Sequence, residues 1–237
     1  MKTHWLNILV AAILLATVLA VFEFTDLDIA VQDHFYMGQR GAWLVDKDEP
    51  IARAILYDGF KVVFTVTGGA CGVGFVASWW VRRLAPRRVA MLRVALAAAL
   101  VPITVLCIKQ FTNVYLPAQI ERYGGDKPHI KLFHAGLSSV KDGRPGRGFP
   151  ASHASAGFAL MIFFYALPRR RWAALGVAVA LGWVTALYQT LNGQHFLSHT
   201  FATWGIAWIV IQLIVLSTAR LRPGEPSGKV QSLCSNR

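Results

Sequence analysis

Six apolar blocks, each close to the length that carries a helix across a bilayer, divide this chain at residues 6–22, 62–81, 89–108, 151–167, 172–188 and 199–216. A membrane helix takes about 20 residues, with a range of roughly 17–25. In a soluble core, apolar residues would be scattered at helical or strand spacing instead. A mean hydropathy of +0.45 with only 15% charged residues agrees with the block pattern. The expected fold is all-α, a polytopic membrane bundle of six transmembrane helices. Residues 1–222 form its single domain, and 223–237, with Pro223, Gly224, Pro226, Ser227 and Gly228, are expected to be a disordered cytoplasmic tail. Val21, Phe22, Glu23 and Phe24 provide no small-residue cleavage site, so the first block reads as an uncleaved anchor. Arg93 lies one turn inside the third block, where its long side chain reaches the interface.

Charge sets the orientation. Lys2, Arg82, Arg83, Arg87, Arg88, Arg169, Arg170, Arg171, Arg220 and Arg222 flank the blocks on one side. Of the acidic residues, only Glu225 falls on that side. Short basic loops stay in the cytoplasm, so both termini are expected there. The net charge of +12 then reads as a topology signal that also attracts anionic membrane lipids, with no nucleic-acid partner. Gly68, Gly69, Gly72 and Gly74 read as a close helix contact. Phe35, Tyr36 and Trp43 in the loop 23–53 suit either an interfacial segment or a solvated connector. The loop 110–148 carries Arg122, Lys127, Lys131, Lys141, Arg144 and Arg147, an excess of cations against the orientation rule that points to anion binding. Cys71, Cys107 and Cys234 offer neither a bridge nor metal-ligand spacing.

Three clusters carry chemistry: Lys109 with Pro117, the run Phe-Pro-Ala-Ser-His at 149–153, and His195 with His199. The topology brings all three to one membrane face. Pro150 precedes a helix whose free N–H groups and positive dipole end suit an anion, and His153 stands there ready to donate a proton. His195 and His199, four apart, would share a helix face, the spacing of a metal pair. No third strong ligand stands at fixed spacing, although His153 converges on the two. A metalloenzyme built on the three histidines is therefore the lesser alternative.

Together, the clusters resemble the type 2 phosphatidic acid phosphatase superfamily in its membrane-embedded bacterial branch. That family shows a lysine, six residues, then Arg-Pro; next Pro-Ser-Gly-His; then Ser-Arg, five residues, a histidine, three more and an aspartate. Here Lys109 stands eight residues before Pro117, Pro150 and His153 match, and His195 takes the last histidine position. Leu116 replaces the first arginine, Ala151 and Ser152 replace Ser-Gly, Tyr188 and Gln189 replace Ser-Arg, and His199 replaces the aspartate. The resemblance implies a phosphatase or phosphotransferase, with no metal and no cofactor, acting on a lipid phosphate at the outer face of the inner membrane. Candidate substrates are lipid A, a polyprenyl diphosphate and phosphatidylglycerol phosphate. By the same resemblance His195 forms a phosphohistidine, His153 serves as acid and base, and His199 orients His195. Lys109, Ser152 and Gln189 fall at substrate-binding positions. Arg122 and Arg147, closest in sequence to the motif ends, are the expected stand-ins for the missing arginines. The alternative is a lipid-headgroup binding or transport protein with a degenerate site. Nothing in the sequence fixes the oligomeric state.

Overall fold

The computed structural model describes residues 2–134 and 145–221, so the expected tail and the loop cations Lys141 and Arg144 lie outside the described residues. The chain is mostly helical. α1 (Lys2–Phe24), a continuous helix from Pro50 to Ala77, α5 (Arg88–Phe111), α8 (Arg171–Leu191) and α9 (Leu197–Ser217) provide five helices long and apolar enough to cross a membrane. The helix Pro50–Ala77 combines α3 (Pro50–Arg53), a wide π turn at Ala54–Gly59 and α4 (Phe60–Ala77). It begins well before the apolar block at 62–81. Pro50 suits the first turn, and the Glu49 carboxylate accepts from the N–H groups of Ile51 (3.2 Å) and Ala52, a start signal that apolarity alone does not register.

The block at 151–167 differs most from expectation. It forms α6 (Ser152–Ala159), a 3₁₀ turn at Leu160–Ile162 and α7 (Phe163–Ala166). From Ser152 to Ala166 the rise is about 22 Å, short of a hydrocarbon core of about 30 Å. The length criterion therefore yields five spans where six were expected. α6 behaves as a core helix: Ala154, Ser155, Gly157, Phe158 and Ala159 are buried against α5, α8 and α9. A Cβ added to Gly157 would lie 2.6 Å from Gly182 Cα on α8, so the two backbones meet directly. Gly68 lies similarly close to Ala98 and Gly74 to Met91, as the glycine-rich face predicts, whereas Gly69 faces open space.

Far from the histidines, a polar clasp joins three helices. His4 Nδ1 lies 2.8 Å from Gln212 Oε1, and Gln212 Nε2 donates to the Tyr165 hydroxyl at 2.8 Å. The other end carries an ordered layer. α2 (Leu27–Asp33) leads into a two-stranded antiparallel ribbon, β1 (Tyr36–Met37) and β2 (Ala42–Trp43), a small departure from an all-α chain. Tyr36, Trp43 and Tyr123 pack with centroids 5.0–5.1 Å apart, and Phe196 joins their cluster. Tyr36 and Trp43 thus bind the two outer segments together, a role neither sequence reading gave them. Gly193 sits under Trp43 with φ +72°, and a Cβ there would meet the indole at 2.2 Å.

Replacing Gly157 with Val should cost more than about 3 kcal/mol, because the groups it meets are backbone and cannot rotate away. Gly69→Val should cost under about 1 kcal/mol. Thermal unfolding of the two variants in detergent, beside the parent, checks the contrast.

Candidate active site

His195 lies in the tight connection between α8 and α9, where the Gln189 carbonyl accepts from the N–H groups of Gln194 (2.8 Å) and His195 (3.2 Å). Phe196 is the N-cap of α9, so His195 precedes the helix and does not share a helix face with His199 as the four-residue spacing suggested. The rings meet nonetheless, Nδ1 to Nδ1 at 3.4 Å, so one ring donates and the other accepts. With His195 as donor, its Nε2 keeps a free lone pair. Both rings are 2% exposed. Burial, followed by the neighbouring His199, Lys109 and His153, holds the His195 imidazole well below the usual histidine range and therefore neutral.

A strap at residues 146–151 closes over this pair. The Gly148 N–H donates to the Val114 carbonyl (2.6 Å), and the Gly146 N–H to Asn113 Oδ1 (2.6 Å). The Thr112 hydroxyl donates to the Phe149 carbonyl (2.5 Å). On the other flank, the Ala151 N–H donates to the His199 carbonyl (3.2 Å), and the Thr203 hydroxyl lies 3.0 Å from the carbonyls of both residues. The strap delivers His153 into the first turn of α6, with its ring centroid 5.9 Å from that of His195. Ala151, the N-cap, offers no side-chain acceptor, which leaves the first N–H groups of α6 without a side-chain cap. Lys109, in the last turn of α5, donates from Nζ to Ser152 Oγ at 3.3 Å.

His153 opens on a cleft of ≈ 930 Å³ between α4, α5, α6 and α8. Ser152 and Gln189 share its wall, and the rest is largely apolar, with Val63, Phe64, Pro102 and Leu106. The structure therefore gathers Lys109, Ser152, His153, Gln189, His195 and His199. Arg147 is in the strap, its side chain exposed and without an ion pair among the described residues. Arg122 is not brought in: its guanidinium forks onto the Asp33 carboxylate at 2.9 and 2.7 Å, and it lines a separate depression with Asp26 and His129.

Sequence reasoning missed three participants. Tyr57 packs its ring on His153 at 4.7 Å, and Lys61 lines the same cleft. Their four-residue spacing at the outer end of the second span was the available signal. The third is Asp28 on α2, whose carboxylate accepts from the Ser198 N–H (2.9 Å) and hydroxyl and so ties down the N-terminus of α9. Burial pushes the Asp28 carboxyl up to about 6, against the lowering effect of those hydrogen bonds.

Among known proteins, the family model described as the PAP2 superfamily matches residues 89–223, more than half of the chain. No curated protein and no solved structure matches.

Because folding raises the Asp28 pKa, the native state holds its proton at a pH where the unfolded chain has lost it. Stability should therefore fall as pH rises from about 4 to about 6, then level off. Asp28→Asn should flatten that slope, as read from thermal unfolding across the range.

Proposed function

The chain belongs to the PAP2 superfamily, a phosphatase family, and from that premise we propose that it removes or transfers the phosphate of a membrane lipid through a phosphohistidine on His195. The observation that carries the reading is the convergence of His153, His195 and His199 with Lys109 at the N-terminus of α6. In the first step, His195 Nε2 attacks phosphorus as the bond to the lipid oxygen breaks, and His153 protonates that oxygen. In the second, water or another acceptor hydroxyl attacks phosphorus, the P–N electron pair returns to Nε2, and His153 takes the proton. Lys109 and the first N–H groups of α6 face the phosphoryl oxygens, where fixed positive charge contributes most.

His199, at the position of the family's aspartate, accepts from His195 Nδ1 as a neutral partner and supports ring orientation. With Arg122 held by Asp33, Arg147 is, among the described residues, the loop arginine left to reach the phosphate. His195 is 2% exposed, so phosphorus reaches it only past His153 or through movement of the strap. An apolar cleft with polar residues at one end suits a substrate with a lipid chain. The site faces the exterior of an inner membrane, with the Arg82–Arg88 and Arg169–Arg171 ends in the cytoplasm. A reporter inserted at Gly124 should then behave as external and one after Arg170 as cytoplasmic.

The replaced arginines and aspartate favour a second reading, headgroup recognition without turnover. Rates on a lipid phosphate separate the two. His195→Ala and His153→Ala should each lose at least about 10³-fold, Arg147→Ala about 10²-fold, and Arg122→Ala less than about threefold. Vanadate should inhibit. The acid limb of the wild-type rate should lie below pH 6.5, because the neutral His195 is the attacking form and burial depresses its pKa. A His195→Ala protein retaining more than a few per cent of the rate would exclude the phosphohistidine route.

A further inference from the structure

The phosphoryl-transfer site leaves one nearby cation unused. Lys61, at the start of α4, has an exposed side chain with no ion pair among the described residues. It lies four residues after Tyr57, a spacing that brings two side chains toward one helix face. Tyr57 packs on His153, and Lys61 lines the cleft that His153 opens on. The two lysines near the site have different reach. Lys109 donates to Ser152 at the start of α6, whereas Lys61 lines the cleft together with His153. Lys109 therefore stands at the helix N-terminus where the transferred phosphoryl group would bind. Lys61 stands on the cleft side of His153, the side toward which a leaving group protonated by His153 would depart.

We propose that Lys61 holds a phosphate carried by the leaving group, which makes a lipid diphosphate the preferred substrate over a lipid monophosphate. The proposal rests on the phosphoryl-transfer reading above. His195 Nε2 attacks the terminal phosphorus, and the bond from that phosphorus to the bridging oxygen breaks. Its electron pair goes to the bridging oxygen, which takes a proton from His153 and departs as part of the lipid monophosphate. Water then attacks the phosphohistidine, Nε2 recovers the P–N electron pair, His153 takes a proton from the water, and inorganic phosphate is released. A monophosphate has only an alcohol as its leaving group, with no phosphate for Lys61 to hold. With a diphosphate, the charge that grows on the departing phosphate develops beside Lys61, so the contact strengthens toward the transition state.

The test compares kcat/KM of the full-length protein in detergent on a polyprenyl diphosphate and on the monophosphate of the same chain. Wild type should favour the diphosphate. Lys61→Ala should lower the diphosphate-to-monophosphate ratio at least about tenfold, and Lys61→Arg should keep it within about threefold. Lys61→Met, which keeps the apolar stem, should match Ala and serves if the Ala protein does not fold. A wild-type preference for the monophosphate, equal losses on both substrates, or no loss at all overturns the role of Lys61 and leaves the phosphatase reading standing. A wild-type protein that turns over neither substrate overturns both.

Discussion

Gly157 and Gly182 meet backbone to backbone, and the placement of α6 against α8 depends on that contact. It fixes how far α6 sits from α8, hence how His153 on one stands relative to Gln189 and His195 at the end of the other. Phe158 then fills the space beside Gly182, with a ring that any added Cβ there would strike at 2.3 Å. Such proximity is available only to residues without side chains. It also lets a helical block of about 22 Å pack along longer neighbours: they cover its flanks, and its uncapped first turn faces the polar site.

The histidine pair is held by ties of a different kind. Gln189, Gly148, Ala151 and Thr203 use backbone or hydroxyl groups, each of which satisfies a polar group that burial would otherwise leave costly. Asp28 extends this framework by fastening the start of α9 to the outer layer. The aromatic cluster of Tyr36, Trp43, Tyr123 and Phe196 then holds that layer over the connection bearing His195. Orientation of His195, the proposed nucleophile, is thus distributed over several neutral contacts, whereas the family's pattern assigns it to one carboxylate.

Block length made the five long helices legible, because apolarity over a span's length is a strong signal that needs no periodicity. The break in the central block was not legible: apolarity alone does not register the 3₁₀ turn at Leu160–Ile162 or the end at Ala166, which leave that block short of the length of a span. His153, His195, His199 and Lys109 were legible through motif order, which survives substitution of the residues between. Arg122 was misread because proximity to Pro117 in sequence says nothing of Asp33, its partner 89 residues away. Tyr57 and Lys61 escaped for a related reason. They belong to a helix whose start, at Glu49 and Pro50, lies outside the apolar block, so nothing local joined them to His153.

Replacing the family's aspartate with His199 changes the site's charge as well as its hydrogen bond. A carboxylate would offset one cation and stabilise the imidazolium-like character that His195 would gain on bonding to phosphorus in the proposed reaction. A neutral imidazole does neither, so Lys109 and Lys61 act on the histidines without an anionic counterweight at that position. Such a site stabilises itself best when the substrate brings the missing negative charge. A diphosphate brings more of it than a monophosphate, and places part of it where Lys61 stands. On the proposed reading, the histidine at the carboxylate's position and the lysine in the cleft form one electrostatic arrangement, in which a diphosphate substrate supplies the negative charge that an aspartate would otherwise contribute.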